Sequence, residues 1–558
     1  MYTTPPLFSN GHRASYWHQD CTNGNDKHLE VEFTHQFGVR TVHHSAALDT
    51  EVAPDRRLAA PLEKSVWRLP MQLRRIFSFL TMLTFLLVTL EFMMTRGSVV
   101  DPDIWWHLHN ADYLFQHHQF PRADVYSFTV AGHPWINHEW LSEIPYYLAW
   151  RAGGLSGVNA VTFTTISLIF LGLLYLSYME TRHFKAAIVA CCFLTFIASV
   201  SFGPRTILFG YLYLVLLLII LQRFRQKGNA PLWLIPPLFC LWANTHGSWS
   251  LGLIIFSIIT AAGFAQGSWG RVDAERWTSS QMGKLVVTGL ASVAALFVNP
   301  FGSRLVFYPF DMAFRQKLNI SHVAEWVSVD FHDLRGKFVL ALLLTLLVTA
   351  LVRRTRWRLA EVALVLFAVY SALTYVRFLF LLAIVIAPVL TRILEFVPQY
   401  RPKADTPLIN ALVICLMIGS IIHYWPTSAE MQKSISEKYP TQALTYLKAH
   451  PPDGPVLNFY LWGGYLAWND RDLKVFIDSR VDIYEYAGVL KDYLDLLNLS
   501  QSKSILDKYK IRYVLFPQPG GYSESALTYV LEHDSQWNVI YSDATTVLLE
   551  RNAARTAT

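Results

Sequence analysis

The chain has 558 residues, of which 53% are hydrophobic and only 16% charged, and its mean hydropathy is +0.28. Soluble chains carry about 25% charge, so much of this surface faces something other than water, and collagen-like, disulfide-stapled and disordered classes are excluded. The formal charge of +6 lies in short Lys/Arg clusters between apolar runs rather than on one basic face, which argues against nucleic acid as a partner and reads as a topology signal.

Residues 1–70 are polar, His-bearing and without periodicity, and are expected to form a disordered cytoplasmic tail. Cys21 lies in that tail, while Cys191, Cys192, Cys240 and Cys415 lie inside apolar runs, so no disulfide framework is implied. A bilayer core of about 30 Å needs about 20 apolar residues in helix, fewer where flanking groups snorkel. On that criterion the predicted spans are 76–94, 155–178, 186–202, 207–222, 232–244, 251–265, 285–298, 338–351, 359–374, 378–396 and 408–423, about eleven in all. Alternate connections hold the basic residues, from Arg74 and Arg75 through Arg182 and Lys185, Arg223 and Arg225, Arg271 and Arg276, and Arg353 to Arg358, to Arg401 and Lys403. The positive-inside rule makes these cytoplasmic, and an odd number of spans then puts the C-terminus outside.

The opposite face gathers residues 95–154, the turn at Pro204 and Arg205, the turn 245–249, the loop 299–336, residues 375–377 and everything beyond 424. Within it, 138–150 is amphipathic and ends at Gly153 and Gly154, which predicts an interfacial helix, with a short span as the alternative. After His423 the composition becomes that of a water-soluble domain. Helical stretches are predicted at 441–449, 484–497, 502–509 and 523–533, and strands at 456–460, 474–477, 511–516, 537–541 and 546–550. The expected fold is therefore an α-helical polytopic membrane protein of about eleven spans with a C-terminal extracytoplasmic α/β domain. Its parts are the tail 1–70, a membrane domain 71–424 with outside loops 95–154 and 299–336, and the α/β domain 425–558.

Chemistry-bearing residues cluster on the outside face. Asp101 and Asp103, at the lip of the first span, either coordinate one hard cation, deprotonate a hydroxyl, or cap a helix beside interfacial Trp105 and Trp106. His138 and Glu139 stand at a helix start, where a carboxylate suits the dipole. Arg205 and Arg377 fall at outside ends of spans, where a guanidinium is costly unless it meets an anion; its fork matches phosphate oxygens. Glu325 lies in a partly apolar strip of the long loop and either completes a cation site with Asp101 or Asp103 or caps a helix. In the C-terminal domain Trp462-Gly463-Gly464-Tyr465 follows a strand and offers either a stacking shelf for a sugar or a structural turn.

The order of these signals resembles the GT-C superfamily of polytopic glycosyltransferases over roughly residues 76–558, and within it the catalytic subunit of oligosaccharyltransferase and related bacterial enzymes. Asp101-Pro102-Asp103 with Trp105, Trp106 and His107 is similar to that family's first acidic motif, and Val323-Ala324-Glu325 to its Glu-ending motif in the long outside loop. Arg377 stands where such enzymes place a donor-phosphate arginine, and Trp462 to Tyr465 loosely resembles the Trp-Trp-Asp-Tyr-Gly motif. Two departures stand out: Gly463 or Gly464 replaces that motif's Asp, and Ser201 to Arg205 replaces a second acidic pair.

The resemblance implies transfer of a sugar from a polyprenyl phosphate or diphosphate to a protein, lipid or glycan acceptor on the extracytoplasmic face of a bacterial-type inner or plasma membrane, by inverting displacement. Asp103, Asp101 and Glu139 are the expected catalytic residues, Asp103 being preferred as base. Arg377, Arg205 and His107 are expected on the donor phosphate, and Trp105, Trp106, His138, Trp462 and Tyr465 on sugar and acceptor. A diphosphate donor would favour Mg²⁺ or Mn²⁺ held by Asp101, Asp103 and Glu325; a monophosphate donor, the favoured choice with one acidic pair missing, would allow metal independence. Two rivals are a transporter or flippase for a lipid-linked sugar, and a non-catalytic envelope assembly subunit. Against transport stands the lack of inverted repeats and of paired broken spans.

Overall fold

The structure, a computed structural model, describes residues 71–97, 101–402, 405–518 and 526–552. The tail 1–70 lies outside the described residues, as do Lys403 and the first part of the helix predicted at 523–533.

The chain begins with α1 (Met71–Ile76) and α2 (Phe79–Thr95), the second started by Ser78, whose hydroxyl accepts from the Thr81 N–H at 3.2 Å. Next come α3 (Asp103–His117) and α4 (Trp140–Thr181). The latter is two helices in one, because Gly153 and Gly154 leave helical geometry and Gly154 takes φ +57, where a side chain would be strained. The predicted helix up to Gly153 and the span after it meet at that bend. Then follow α5 (Phe184–Ala198), α6 (Ile207–Lys227), α7 (Ile235–Thr245), α8 (Trp249–Ala262) and α9 (Ser279–Ala295). The long loop contains α10 (Ser303–Arg315) and α11 (Lys317–His322), and α12 (Leu334–Val352), α13 (Leu359–Thr374), α14 (Leu379–Ile393) and α15 (Pro407–His423) complete the bundle.

Every predicted span falls on a helix. By length and composition six helices are able to cross a membrane, and a seventh is added if α15 and the helix bent from it by 54° count as one. Three more apolar helices, 232–245, 249–262 and 359–374, are shorter. The protein is thus an integral membrane protein of mostly helical build. Its centre is α14, whose residues from Leu379 to Ala387 are nearly all sealed from the surface. In hydrocarbon no hydrophobic force drives helices together, so close approach must come from shape. Ala186, Ala187 and Ala190 on α5 and Ala383 and Ala387 on α14, all fully buried, allow it.

Beyond the bundle lie α16 (Ser428–Ser436), α17 (Thr441–Ala449), α18 (Gly463–Asn469), α19 (Val481–Tyr486), α20 (Val489–Leu497), α21 (Ser502–Lys508) and α22 (Ala526–Glu532). A small sheet of four strands accompanies them, in the order Val456–Asn458, Tyr513–Pro517, Thr546–Arg551, Trp537–Ser542; the first pair is parallel and the other two pairs antiparallel. Two predictions are corrected here. The run 474–477 is extended but does not join the sheet: Val475 bridges to Ser127 in the first loop, where its N–H donates to Tyr126 O at 3.2 Å. The helix predicted at 484–497 begins earlier and divides into α19 and α20 at Gly488, whose φ of +76 stops the first and starts the second.

The C-terminal region is packed onto the first loop through a shared core that joins Ile104, Trp105 and Tyr146 to Leu457, Phe476 and Val514. Arg480 fastens the two. Fully buried, it pairs with Asp478 and Asp124, each at 2.6 Å, and lies over the rings of Tyr126 and Trp135 at 4.8 and 4.9 Å.

Candidate functional site

The fold draws the scattered polar motifs to one end of the bundle. Asp101 precedes α3 and acts in part as a cap, its Oδ1 accepting the Asp103 N–H at 3.0 Å. Its Oδ2 accepts from Arg205 Nε at 2.7 Å, and Arg205 Nη1 donates to Glu325 Oε1. Three separate connections therefore meet on one guanidinium. Burial works against the charge on Arg205, but Asp101, Glu325 and Asp103 outweigh it and keep the group cationic. Burial likewise raises Glu325, and Arg205 and then Arg377 overcome that to hold it below the ordinary carboxylate range.

Arg377 is placed differently. It sits in the short turn of 3₁₀ helix (Val376–Phe378) that leads into the buried α14, with its guanidinium 4.3 Å from the ring centre of Trp326, the neighbour of Glu325. The segment around Trp326 is tied to this turn by Val376 N–H to Val327 O at 2.9 Å, and Tyr211 donates its hydroxyl to Arg377 O at 3.0 Å. Among the described residues Arg377 forms no ion pair. It is a cation beside the acid cluster with its donors unspent on carboxylates.

Asp103 opens α3, and its Oδ1 accepts from Trp106 Nε1 at 3.2 Å. Burial, reinforced by the Asp101 carboxylate and opposed by His107, pushes its pKa up to about 7. One turn along α3, His107 is held between two carboxylates of α4 and its start, with Nδ1 3.1 Å from Glu143 and Nε2 3.6 Å from Glu139. Burial would lower its pKa, but the Glu143 hydrogen bond and both carboxylates outweigh that and raise it above the ordinary imidazole value. Asn110 and Asn137 complete the shell of Glu143, at 3.1 and 2.8 Å.

Glu139 starts α4 without capping it. Its carboxylate instead accepts from Thr206 at 2.9 Å and faces His246 at 3.2 Å and His138 at 3.6 Å. Burial raises it, yet the three imidazoles and Thr206 bring it down to about 2. His246 Nδ1 accepts the Ser248 N–H at 2.9 Å, which leaves the proton of the neutral ring on the Nε2 facing Glu139. Burial lowers its pKa to about 3, so that ring is neutral at pH 7.

The aromatic candidates divide. Trp106 meets Asp103 and stacks obliquely on His107, and His138 stacks on Tyr308 at 4.2 Å. Trp105 and Tyr465 are buried edge to face at 5.1 Å, and Tyr465 stacks on Tyr439, so these rings join α3 to the C-terminal region. Trp462 is buried in that region's core and donates Nε1–H to Lys438 O at 2.8 Å. The paired glycines are explained by close approach: a Cβ on Gly463 would overlap the Ile477 carbonyl, and one on Gly464 would lie 3.1 Å from Pro102 O. Sequence reasoning did not single out Glu143, Thr206 or His246.

Of the expected metal set, Asp101 and Glu325 pair with the Arg205 guanidinium while Asp103 accepts from Trp106, and among the described residues no group of three or more His, Cys, Asp or Glu side chains converges as a metal site.

No protein-family model matches the sequence, and no curated protein does. Among solved structures, the chain is similar to the oligosaccharyltransferase of Archaeoglobus fulgidus tethered with an acceptor peptide containing the NVT sequon, with TM-score 0.51 and 12% identity over 85% of this chain and 74% of that one. Two others align at lower scores. The same organism's AglB in complex with an inhibitory peptide and a dolichol-phosphate gives 0.47 and 11% identity over 86% and 74% of the two chains. ArnT from Cupriavidus metallidurans, bound to undecaprenyl phosphate, gives 0.45 and 12% over 85% and 98%. The first of these likenesses, at 12% identity, shows a shared fold with that oligosaccharyltransferase.

Proposed function

We propose that this protein is a membrane glycosyltransferase that moves a sugar from a polyprenyl-phosphate-linked donor to a hydroxyl-bearing acceptor by inverting displacement. The observation that carries the reading is the pairing of an unspent cation, Arg377, with a carboxyl tuned to about 7, Asp103, around the Asp101–Arg205–Glu325 cluster. Ionised Asp103 takes the proton of the acceptor hydroxyl as its oxygen forms the new bond to the anomeric carbon. The bond from that carbon to the phosphate oxygen breaks on the opposite face, and the departing anion is compensated by Arg377 and by Arg205. His107, locked between Glu139 and Glu143, orients the helix that carries Asp103 rather than contacting phosphate.

In this reading Arg205 supplies the positive charge that a divalent ion would otherwise bring between Asp101 and Glu325, so the enzyme works without metal and takes a monophosphate donor. The eleven predicted spans cross or enter the bilayer, the tail 1–70 is cytoplasmic, and the polar end with residues 425–558 is extracytoplasmic, as the distribution of Lys and Arg supports. The test is the full chain in proteoliposomes with a labelled polyprenyl-phosphate sugar and a mixed acceptor extract. Label transferred to acceptor supports the proposal; label that crosses the bilayer unchanged would establish a flippase, and neither outcome would indicate an assembly subunit.

A further inference from the structure

The opposite end of the bundle holds a second feature. α6 starts two residues after Arg205 and carries Arg225 in its last turn, so at 1.5 Å per residue the two arginines are about 30 Å apart. There a cavity of about 620 Å³ opens between α4, α6, α8, α13 and α14, within the range of about 300–1,000 Å³ typical of ligand pockets. Part of its wall is apolar, from Leu218, Ile259, Leu364 and Val385. Much of the rest is ionic: Glu180, Arg225, Arg358, Glu361 and Arg392, joined by Asp273, Glu275, Arg276 and Arg356.

The ionic part is unevenly matched. Five guanidinium groups face four carboxylates; Arg356 is already committed to Asp273, at 2.9 Å. Glu180 receives Arg225 Nη2 at 2.8 Å and Arg358 Nη1 at 2.7 Å, along with the side-chain amide of Gln222. Glu361 receives both terminal nitrogens of Arg392, at 2.9 and 3.1 Å, and caps Arg358 N–H at 3.0 Å. Glu180 and Glu361 are therefore engaged, whereas Arg225 and Arg358 each spend a single guanidinium nitrogen. What the cavity lacks is an anionic acceptor, and guanidinium forks suit phosphate oxygens. A free phosphate would leave the apolar wall uncovered, and a neutral lipid would leave the surplus cation uncovered.

We propose that this cavity binds a phosphate-headed lipid, with its head on Arg225 and Arg358 and its hydrocarbon chain along Leu364 and Val385. The site stands apart from the proposed reaction and does not depend on it. Glycerophospholipid and isoprenyl phosphate share the required chemistry, and the experiment separates them. Full-length protein in detergent is titrated with phosphatidylglycerol or an isoprenyl monophosphate and bound lipid is read by native mass spectrometry, with diacylglycerol as the headless control and inorganic phosphate as the tailless competitor.

At least one of the two anionic lipids should be retained, the tighter of them identifying the source. Retention should fall about tenfold in Arg225→Gln with Arg358→Gln, the size expected for lost charge-assisted hydrogen bonds. It should fall similarly in Leu364→Trp, which fills the wall while keeping every charge and so carries the test if the arginine variant does not fold. Arg377→Gln, at the other end, should leave this retention unchanged, which separates the cavity from the proposed donor site. Undiminished retention in Leu364→Trp, diacylglycerol binding as well as the anionic lipids, or displacement by phosphate alone would each overturn the proposal.

Discussion

Two arginines in this protein have the same formal surroundings and opposite settings. Arg205 lies between Asp101 and Glu325, and Arg480 between Asp124 and Asp478. Arg480 and both its carboxylates are about 1% exposed or less, and two aromatic rings flank it. Arg205 is 19% exposed, and one of its carboxylates, Glu325, is 32% exposed. Burying an ion pair costs desolvation that only complete hydrogen bonding offsets, and removing one partner leaves a charge with nowhere to go. The enclosed triad is a fastening between the first loop and the C-terminal region, while the accessible one can exchange a partner for a ligand. Geometry alone does not separate fastening from function; access to solvent does.

If that distinction holds, the largest effect should come from the accessible end. Asp103→Asn removes the proposed base, and turnover in the sugar-transfer assay should fall about 10²- to 10⁴-fold. Wild-type activity should also rise with pH and level off above about 7, since the base must be ionised and burial sets its pKa there. The sign for stability is the reverse. A folded pKa of about 7 against an ordinary 3.8 means the native state holds a proton that the unfolded chain has lost. This group therefore erodes stability as pH rises from about 4 to about 7. Asp103→Asn should abolish both slopes, and an acid limb that survives the substitution would remove Asp103 from the mechanism.

The same conservative change made at each triad sharpens the comparison. Arg480→Lys keeps the charge but loses the fork and the ring stacking in a sealed site, and should lower unfolding stability by about 3–5 kcal/mol in a denaturant or thermal titration. Arg205→Lys should cost less than about 1 kcal/mol by the same measurement, yet reduce turnover about 10- to 100-fold, because a point charge cannot serve two carboxylates and a phosphate together. Equal melting temperatures for the two variants would mean that both arginines are structural.

The helices of the bundle were legible because a lipid-facing helix needs a long apolar run and the loops carry their sidedness in Lys and Arg. The contacts within the polar end were not. Arg205 meets Asp101 and Glu325 across 104 and 120 residues of chain, and no local pattern encodes that closure. Glu143 could have been found, since it follows Glu139 by four residues and helical spacing puts both on one face. His246 could not, because only packing brings its turn to Glu139. Trp462 and Tyr465 carry aromatic signals that fit a ligand shelf and a buried joint equally well; burial, which decides between them, is a property of the folded chain. The run 474–477 was recognised as extended, but its partner is a loop some 350 residues earlier rather than the sheet.

The smallest expected effect concerns metal. With Arg205 between Asp101 and Glu325, chelation of divalent ions should change wild-type turnover by less than about twofold, since the charge a cation would bring is already covalently present. Arg205→Gln inverts the situation. It leaves Asp101 and Glu325 without their shared cation, and two uncompensated carboxylates beside Asp103 form an oxygen-rich site of the kind that hard divalent ions occupy. Added Mg²⁺ or Mn²⁺ should then restore part of the lost turnover, and chelator should remove what was restored. A wild-type enzyme silenced by chelator would show that the guanidinium does not replace the ion, and the accessible triad would become a resting arrangement that opens to admit metal.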